Sequence, residues 1–306
     1  MTFLDGVEDL TLKIRVLLEG AVKRNLAEGI LLSGGLDTSI LASIASKFKS
    51  LKAFTVAFTG GEALDLEYAK LIAKKFGFTH QVYRFGEEEL YRVLPTVVKV
   101  TGSFDPMEIR NSVAIYIGLK VAKDSGVATV MTGDGADELF AGYSFLFGLN
   151  REDLDLELRK LWSVMEFSSV KLARALGIKA KLPYLDPEFK SFAMSIDPKY
   201  KVRFENGKIY GKWILRKAFE DSLPRSIVWR DKVPIEYGCG TTVLPELFDR
   251  KISDEEFSEK RRRYLESDGV NVRDKEHLFY YEIYRTVIGV PHPTDMRGKV
   301  CPYCHS

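Results

Sequence analysis

Two stretches of this chain join glycines, hydroxyls and carboxylates at spacings that suit anion and metal chemistry. The first is Ser33-Gly34-Gly35-Leu36-Asp37-Thr38-Ser39. It lies between an apolar run, Gly29–Leu32, and a segment patterned as a helix from Ile40. A glycine-hydroxyl loop between strand and helix can cradle a phosphate. The glycines let backbone N–H groups approach the anion, the hydroxyls donate to its oxygens, and the helix N-terminus adds partial positive charge. Asp37 would repel a bare phosphate, so its presence calls for a divalent cation between them. The lysine of a Walker A loop is missing. The second stretch is Thr132-Gly133-Asp134-Gly135-Ala136-Asp137-Glu138. Its crowded carboxylates need a partner, which magnesium and a cationic substrate would supply. The structural alternatives are a capped Gly-rich turn for the first stretch and a solvated acidic turn for the second.

The elements around these stretches alternate. Strands are expected at Gly29–Leu32, Leu51–Phe58, Gln81–Phe85 and Gly126–Met131, and helices at Leu10–Leu26, Leu66–Phe76, Glu87–Val100 and Ile109–Asp124. Residues 1–150 therefore predict an α/β fold, a doubly wound parallel sheet with ligands at the C-terminal ends of its strands. Residues 151–290 read as mostly helical and packed on that core. They are broken by a hairpin at 202–210, where Asn206-Gly207 supplies the turn. Helices are expected at Trp213–Leu223, Asp254–Leu265 and His277–Val287. Residues 291–306 form a tail. His80 reads as a packed histidine, the aromatics Phe279, Tyr280, Tyr281 and Tyr284 as core, and Lys260–Arg263 as a solvated helix face.

The SGGLDTS run resembles the pyrophosphate loop of the PP-loop ATP pyrophosphatases, and Thr132–Tyr143 resembles the second signature of the asparagine synthetase synthase domain. Three further stretches match that family in order: Pro106–Ser112, Leu182–Asp186, and Lys212–Arg216 through Lys232. The resemblance implies an adenine-nucleotide α-hydrolase type of sheet. It also implies an ATP-dependent, AMP-forming amide ligase that adenylates a carboxylate, with aspartate as the family's substrate, and amidates it with ammonia. Carried over by position, Ser33, Gly34, Gly35, Thr38 and Ser39 would hold pyrophosphate, and Asp37 and Asp137 would hold magnesium on the ATP phosphates. Leu32 and Val56 would flank adenine, and Gly133 would lie near the nucleotide. Lys232 would neutralise charge developing on the phosphates. Asp134 takes the position of a carboxylate, Glu in the best-known synthetases, that handles the amine or substrate. Arg110 is a candidate clamp for the substrate α-carboxylate or one half of a structural ion pair.

Departures from the family pattern set the remaining expectations. Thr2 stands where a glutaminase domain would carry cysteine, so that domain is expected to be absent and ammonia to come from solution or a separate glutaminase subunit. Val170-Lys171 and Lys179-Ala180-Lys181 replace acidic residues of the family, which predicts a basic substrate mouth and puts aspartate in question. In the tail, Cys301 and Cys304 with His305 form a candidate zinc site that Cys239 or His292 could complete. Idle thiols and sulfur transfer are the alternatives. That tail also keeps a second function open, a PP-loop enzyme modifying tRNA or a nucleobase. Against it stands a formal net charge of only +2 over 306 residues. No run of about 18 apolar residues predicts a membrane span, and the N-terminus lacks a signal-peptide layout. With 3 cysteines, a reducing cytoplasm is the expected setting. A homo-oligomer remains open.

Overall fold

The apolar run after the first helix and the one before the acidic loop become neighbouring strands. The computed structural model describes residues 6–291 apart from residue 206. Its centre is a sheet of five parallel strands: β1 (Gly29–Leu31), β2 (Lys52–Phe58), β3 (Thr79–Phe85), β4 (Thr129–Met131) and β5 (Lys179–Lys181). Their order is β3-β2-β1-β4-β5. From β1 the chain steps outward to β2 and β3, then returns to place β4 on the other side of β1. The order thus reverses between β1 and β4, and the crevice beyond their carboxyl ends is where such sheets bind ligands. Ile30 pairs with Ala53 on one side and Met131 on the other, so the two Gly-rich loops leave the sheet side by side.

Helices cover both faces, as buried parallel strands require. Through residue 218 the helices are α1 (Val7–Arg24), α2 (Leu36–Ala45), α3 (Leu66–Phe76), α4 (Glu87–Thr101), α5 (Pro106–Asp124), α6 (Ala136–Phe140), α7 (Arg151–Ser163), α8 (Ser168–Leu176), α9 (Pro187–Ser195) and α10 (Trp213–Ala218). On one face Ile14, Leu18, Ile40, Ile72, Phe189 and Leu215 share a core. On the other, Leu90, Val97, Ile109, Ile117 and Leu172 pack with Tyr280 and Tyr281 of the helix Lys275–Val287. Both cores draw on the two halves of the sequence. Four residues from Asp105 onward set the start of α5. Asp105 caps α5, accepting from the amides of Met107 and Glu108, and Pro106 occupies the first helical position, where its missing N–H costs nothing.

Several elements differ from the sequence reading; β4 starts at Thr129 rather than Gly126, and α5 at Pro106 rather than Ile109. β3 starts at Thr79 rather than Gln81, because full pairing with β2 runs from Lys52↔Thr79 to Phe58↔Phe85 and overrides the polar start. A fifth strand, Lys179–Lys181, was not predicted. It follows Gly177, whose φ of 75° ends α8, and it pairs with β4 at the sheet edge. The helix expected to reach Leu223 stops at Ala218. The hairpin forms where expected, with β6 (Arg203–Glu205) and β7 (Lys208–Tyr210) in antiparallel register, Glu205 opposite Lys208. His80 is half-buried beside Thr55, whose hydroxyl donates to the Leu32 carbonyl at 2.5 Å and so accepts from His80 Nε2–H at 2.8 Å. Burial lowers the His80 pKa, as a packed histidine requires.

Candidate active site

α2 begins with Gly35 at its N-cap and no side chain satisfying its first amides. An uncapped N-terminus pointing into a crevice keeps backbone donors free for an anion. The loop before it is folded by its own hydroxyls. Ser33 Oγ lies 3.1 Å from Thr38 Oγ1 and accepts from the Gly35 amide at 3.2 Å. Gly34 is fixed by backbone geometry: its φ is +75°, and a Cβ there would sit 2.3 Å from the Ala69 nitrogen.

A buried charge cluster joins the two loops. Lys212 Nζ donates to Asp37 Oδ2 at 2.6 Å and pairs with Asp137 Oδ1 at 2.8 Å. Lys232 reaches the same Asp137 oxygen at 2.7 Å, its ammonium 4.0 Å above the Tyr143 ring. Lys212 stands between β7 and α10 in the left-handed region, φ 56°, a conformation that costs a non-glycine residue on the order of 1 kcal/mol or more. The contacts of its ammonium offset that strain. Burial pushes the Asp37 carboxyl up against the pull of Lys212. Burial acts on Asp137 too, but Lys212 and Lys232 outweigh it and hold that carboxyl below its usual range. The second oxygen of Asp37, Oδ1, is buried and has no hydrogen-bond partner. A buried carboxylate oxygen to which nothing donates, on a residue that shares Lys212 with a second carboxylate, fits a hard divalent cation, so the pair suits magnesium.

Asp134 sits apart from this cluster. Thr132 donates to its Oδ2 at 2.8 Å, and the buried Ser169 at the start of α8 donates to the same oxygen. Burial raises its carboxyl pKa, and these two donors only partly offset that. Arg230 pairs with Asp65 at 2.6 Å, 3.9 Å from the centre of the Tyr68 ring. Arg216, also buried, spends its guanidinium on backbone carbonyls of Gly211, Val228 and Arg230.

One cavity of about 1000 Å³ gathers these groups. Of the predicted site residues, Leu32, Ser33, Gly35, Asp37, Thr38, Val56, Gly133, Asp134, Asp137 and Lys232 line it. Gly34 and Ser39 lie behind the lining, Ser39 fully buried. Arg110 is not among the lining. It pairs with Glu276 at 3.3 Å and donates to the Pro106 carbonyl, so the ion-pair alternative is the one it forms. The expected basic mouth is not there. Lys179 and Lys181 belong to the edge strand, and Lys171 lies outside the cavity, 2.7 Å from Glu166. Lys212, Arg216, Arg230 and Ser169 were not assigned roles from the sequence, although Lys212 opens a matched segment. Cys301, Cys304, His305 and His292 lie outside the described residues. Among the described residues no cluster of three metal-ligating side chains occurs, and Cys239 is a buried free thiol 3.4 Å from Thr241 Oγ1. Nor is any described helix long and apolar enough to cross a membrane.

The Arg110–Glu276 pair has a measurable consequence. Glu276 is buried, which pushes its carboxyl to about 7 against the pull of Arg110 and of the Tyr280 hydroxyl. A carboxyl whose folded pKa lies above its unfolded value binds more protons when folded, so its contribution favours folding at low pH and fades as pH rises from 4.5 through about 7. The loss is on the order of 3 kcal/mol. Urea unfolding at pH 5 and pH 8 should show Glu276→Gln flattening this window relative to the unchanged protein. An unaltered slope would refute the titration.

The asparagine synthase family model matches residues 13–162 and 156–292. Asparagine synthetase B [glutamine-hydrolyzing] of Escherichia coli (strain K12) is 31% identical over 314 residues, 94% of this chain and 55% of that protein. A probable asparagine synthetase [glutamine-hydrolyzing] of Dictyostelium discoideum is 31% identical over 290 residues, 85% of this chain and 51% of that protein. The chain thus spans about half the length of the curated relatives it matches. Among solved structures, NMN synthetase from Francisella tularensis is similar over 71% of this chain and 94% of that one, at 16% identity and a TM-score of 0.34.

Proposed function

The chain belongs to the asparagine synthase family, and from that premise we propose that it adenylates a carboxylate with ATP and transfers the acyl group to ammonia. One observation carries this reading: Asp37, Asp137, Lys212 and Lys232 converge beside the uncapped start of α2, at the switch point of a parallel sheet. A carboxylate oxygen attacks the α-phosphorus and pyrophosphate leaves. Ammonia then attacks the acyl carbon and AMP leaves. Ammonia from solution or from a glutaminase subunit is the proposed nucleophile, and aspartate, the family's substrate, is one candidate acid.

Each group has a role its position supports. Ser33, Gly35, Thr38 and the first amides of α2 hold the departing pyrophosphate, with Gly34 and Ser39 shaping the loop behind them. Asp37 and Asp137 would hold magnesium, which would supply positive charge beside the phosphates. Lys232 stabilises the charge that builds as the α-phosphorus–oxygen bond breaks. Leu32, Val56 and Gly133 accommodate the adenosine. Asp134, whose carboxyl is made more basic by burial, accepts a proton from the attacking amine. Arg110 supports the start of α5 through its ion pair with Glu276.

Incubation with ATP, magnesium, ammonia and single amino acids, followed by chromatography of the nucleotides, tests the reading. AMP and pyrophosphate in equal amounts are expected. ADP as the main product would refute it, because a loop that grips a leaving pyrophosphate cannot then be the catalytic one.

A further inference from the structure

The acyl substrate is not fixed by the chemistry above, and the inference that follows rests on that chemistry. The cations lining the cavity are Lys212, Arg216, Arg230 and Lys232. All of them belong to the phosphate side: two hold the aspartate pair, one holds Asp65 beside the first loop, and one is bound to backbone carbonyls. Another wall of the cavity is built by α5 and the start of α8, which pack against each other. From this wall Glu108, Asn111 and Ser112 line the cavity, together with Asp134 and Glu166.

That wall offers acceptors and negative charge. Glu108 is exposed to the cavity and makes no ion pair among the described residues. Asn111 Oδ1 and Ser112 Oγ are buried without a hydrogen-bond partner. Arg110, the one cation of α5 near this wall, is turned onto Glu276. Lys171 is exposed and only screens Glu166. A second carboxylate on the substrate would therefore meet Glu108, Glu166 and Asp134, while Lys171, the cation paired with Glu166, stands outside the cavity lining. An ammonium or guanidinium group would find both the charge and the free acceptors it needs. Met107 and Phe145, exposed at the rim and lining the same cavity, suit the methylenes of such a tail.

We infer that the acyl substrate is a monocarboxylate bearing an amine or guanidine on its tail, not a dicarboxylate. ATP–pyrophosphate exchange on the full chain tests this, with magnesium and one acid at a time: 4-aminobutyrate, lysine and arginine, then butyrate, then aspartate and succinate. At least one cationic acid should exceed both dicarboxylates by about tenfold or more in kcat/KM, a margin that one unneutralised charge contact in a cleft can supply. Glu108→Lys, a change at an exposed helix position, should shrink that advantage by about the same factor and raise the dicarboxylate rates. A smaller advantage, or aspartate or succinate as the better acid, would overturn the inference and leave adenylation standing. Exchange with none of these acids would overturn the inference and the adenylation reading together.

Discussion

Lys232→Ala is expected to slow pyrophosphate release by about 10²–10³-fold, the usual cost of deleting one preorganised charge at a reacting centre. The thermal midpoint should hardly move. Lys232 is 30% exposed, and its ammonium spans only Asp137 and the face of Tyr143. A lysine in that position contributes little to folding, because exposed ion pairs are worth roughly 0–1 kcal/mol. Binding of ATP should weaken less than turnover, since the charge it neutralises grows mainly as pyrophosphate departs. Lys232→Arg should recover part of the rate, having the charge but a wider, planar head. Rates within threefold of the unchanged protein would remove Lys232 from the chemistry and leave Lys212 as the nearer cation.

The two lysines differ in how far the sequence betrayed them. Both Gly-rich loops were legible because their residue types have no cheap structural use. Glycines, hydroxyls and carboxylates between an apolar strand and a helix state the conformation and point to the kind of ligand proposed for it. The alternating strands and helices of the first half were legible for the same reason, each element carrying its own period. Lys212 was not, because its role depends on a left-handed turn at the end of β7 that carries its side chain back under the loops. No local pattern announces a left-handed lysine. β5 escaped because Lys179-Ala180-Lys181 has neither apolar run nor length, and pairing with β4 alone makes it a strand. Arg110 was ambiguous because its partner, Glu276, lies on a helix far along the chain. The expected basic mouth failed because charge was read in chain order, whereas β5 carries its two lysines to the sheet edge.

Lys212→Met should cost about 3–5 kcal/mol of folding stability, the largest single effect expected in this molecule. The side chain is only 5% exposed and lies between Asp37 and Asp137. Methionine keeps most of the apolar stem but removes the charge, so the two carboxylates are left with Lys232 alone beside them. Removing one partner from a buried ion cluster costs more than the cluster was worth, because the charges left behind stay desolvated. Two controls separate this cause from a packing defect. The carboxyl of Asp37, already pushed up by burial, should rise further without Lys212. A raised folded pKa favours folding at lower pH, so the deficit of Lys212→Met should shrink as pH falls. Magnesium should also stabilise this variant more than the unchanged protein, because a divalent cation can replace the missing charge between the two aspartates. Urea unfolding at pH 7 and pH 5, with and without magnesium chloride, reads all three. A loss below about 1 kcal/mol, or an equal response to magnesium in both proteins, would show that Lys212 packs beside the aspartates without holding them together.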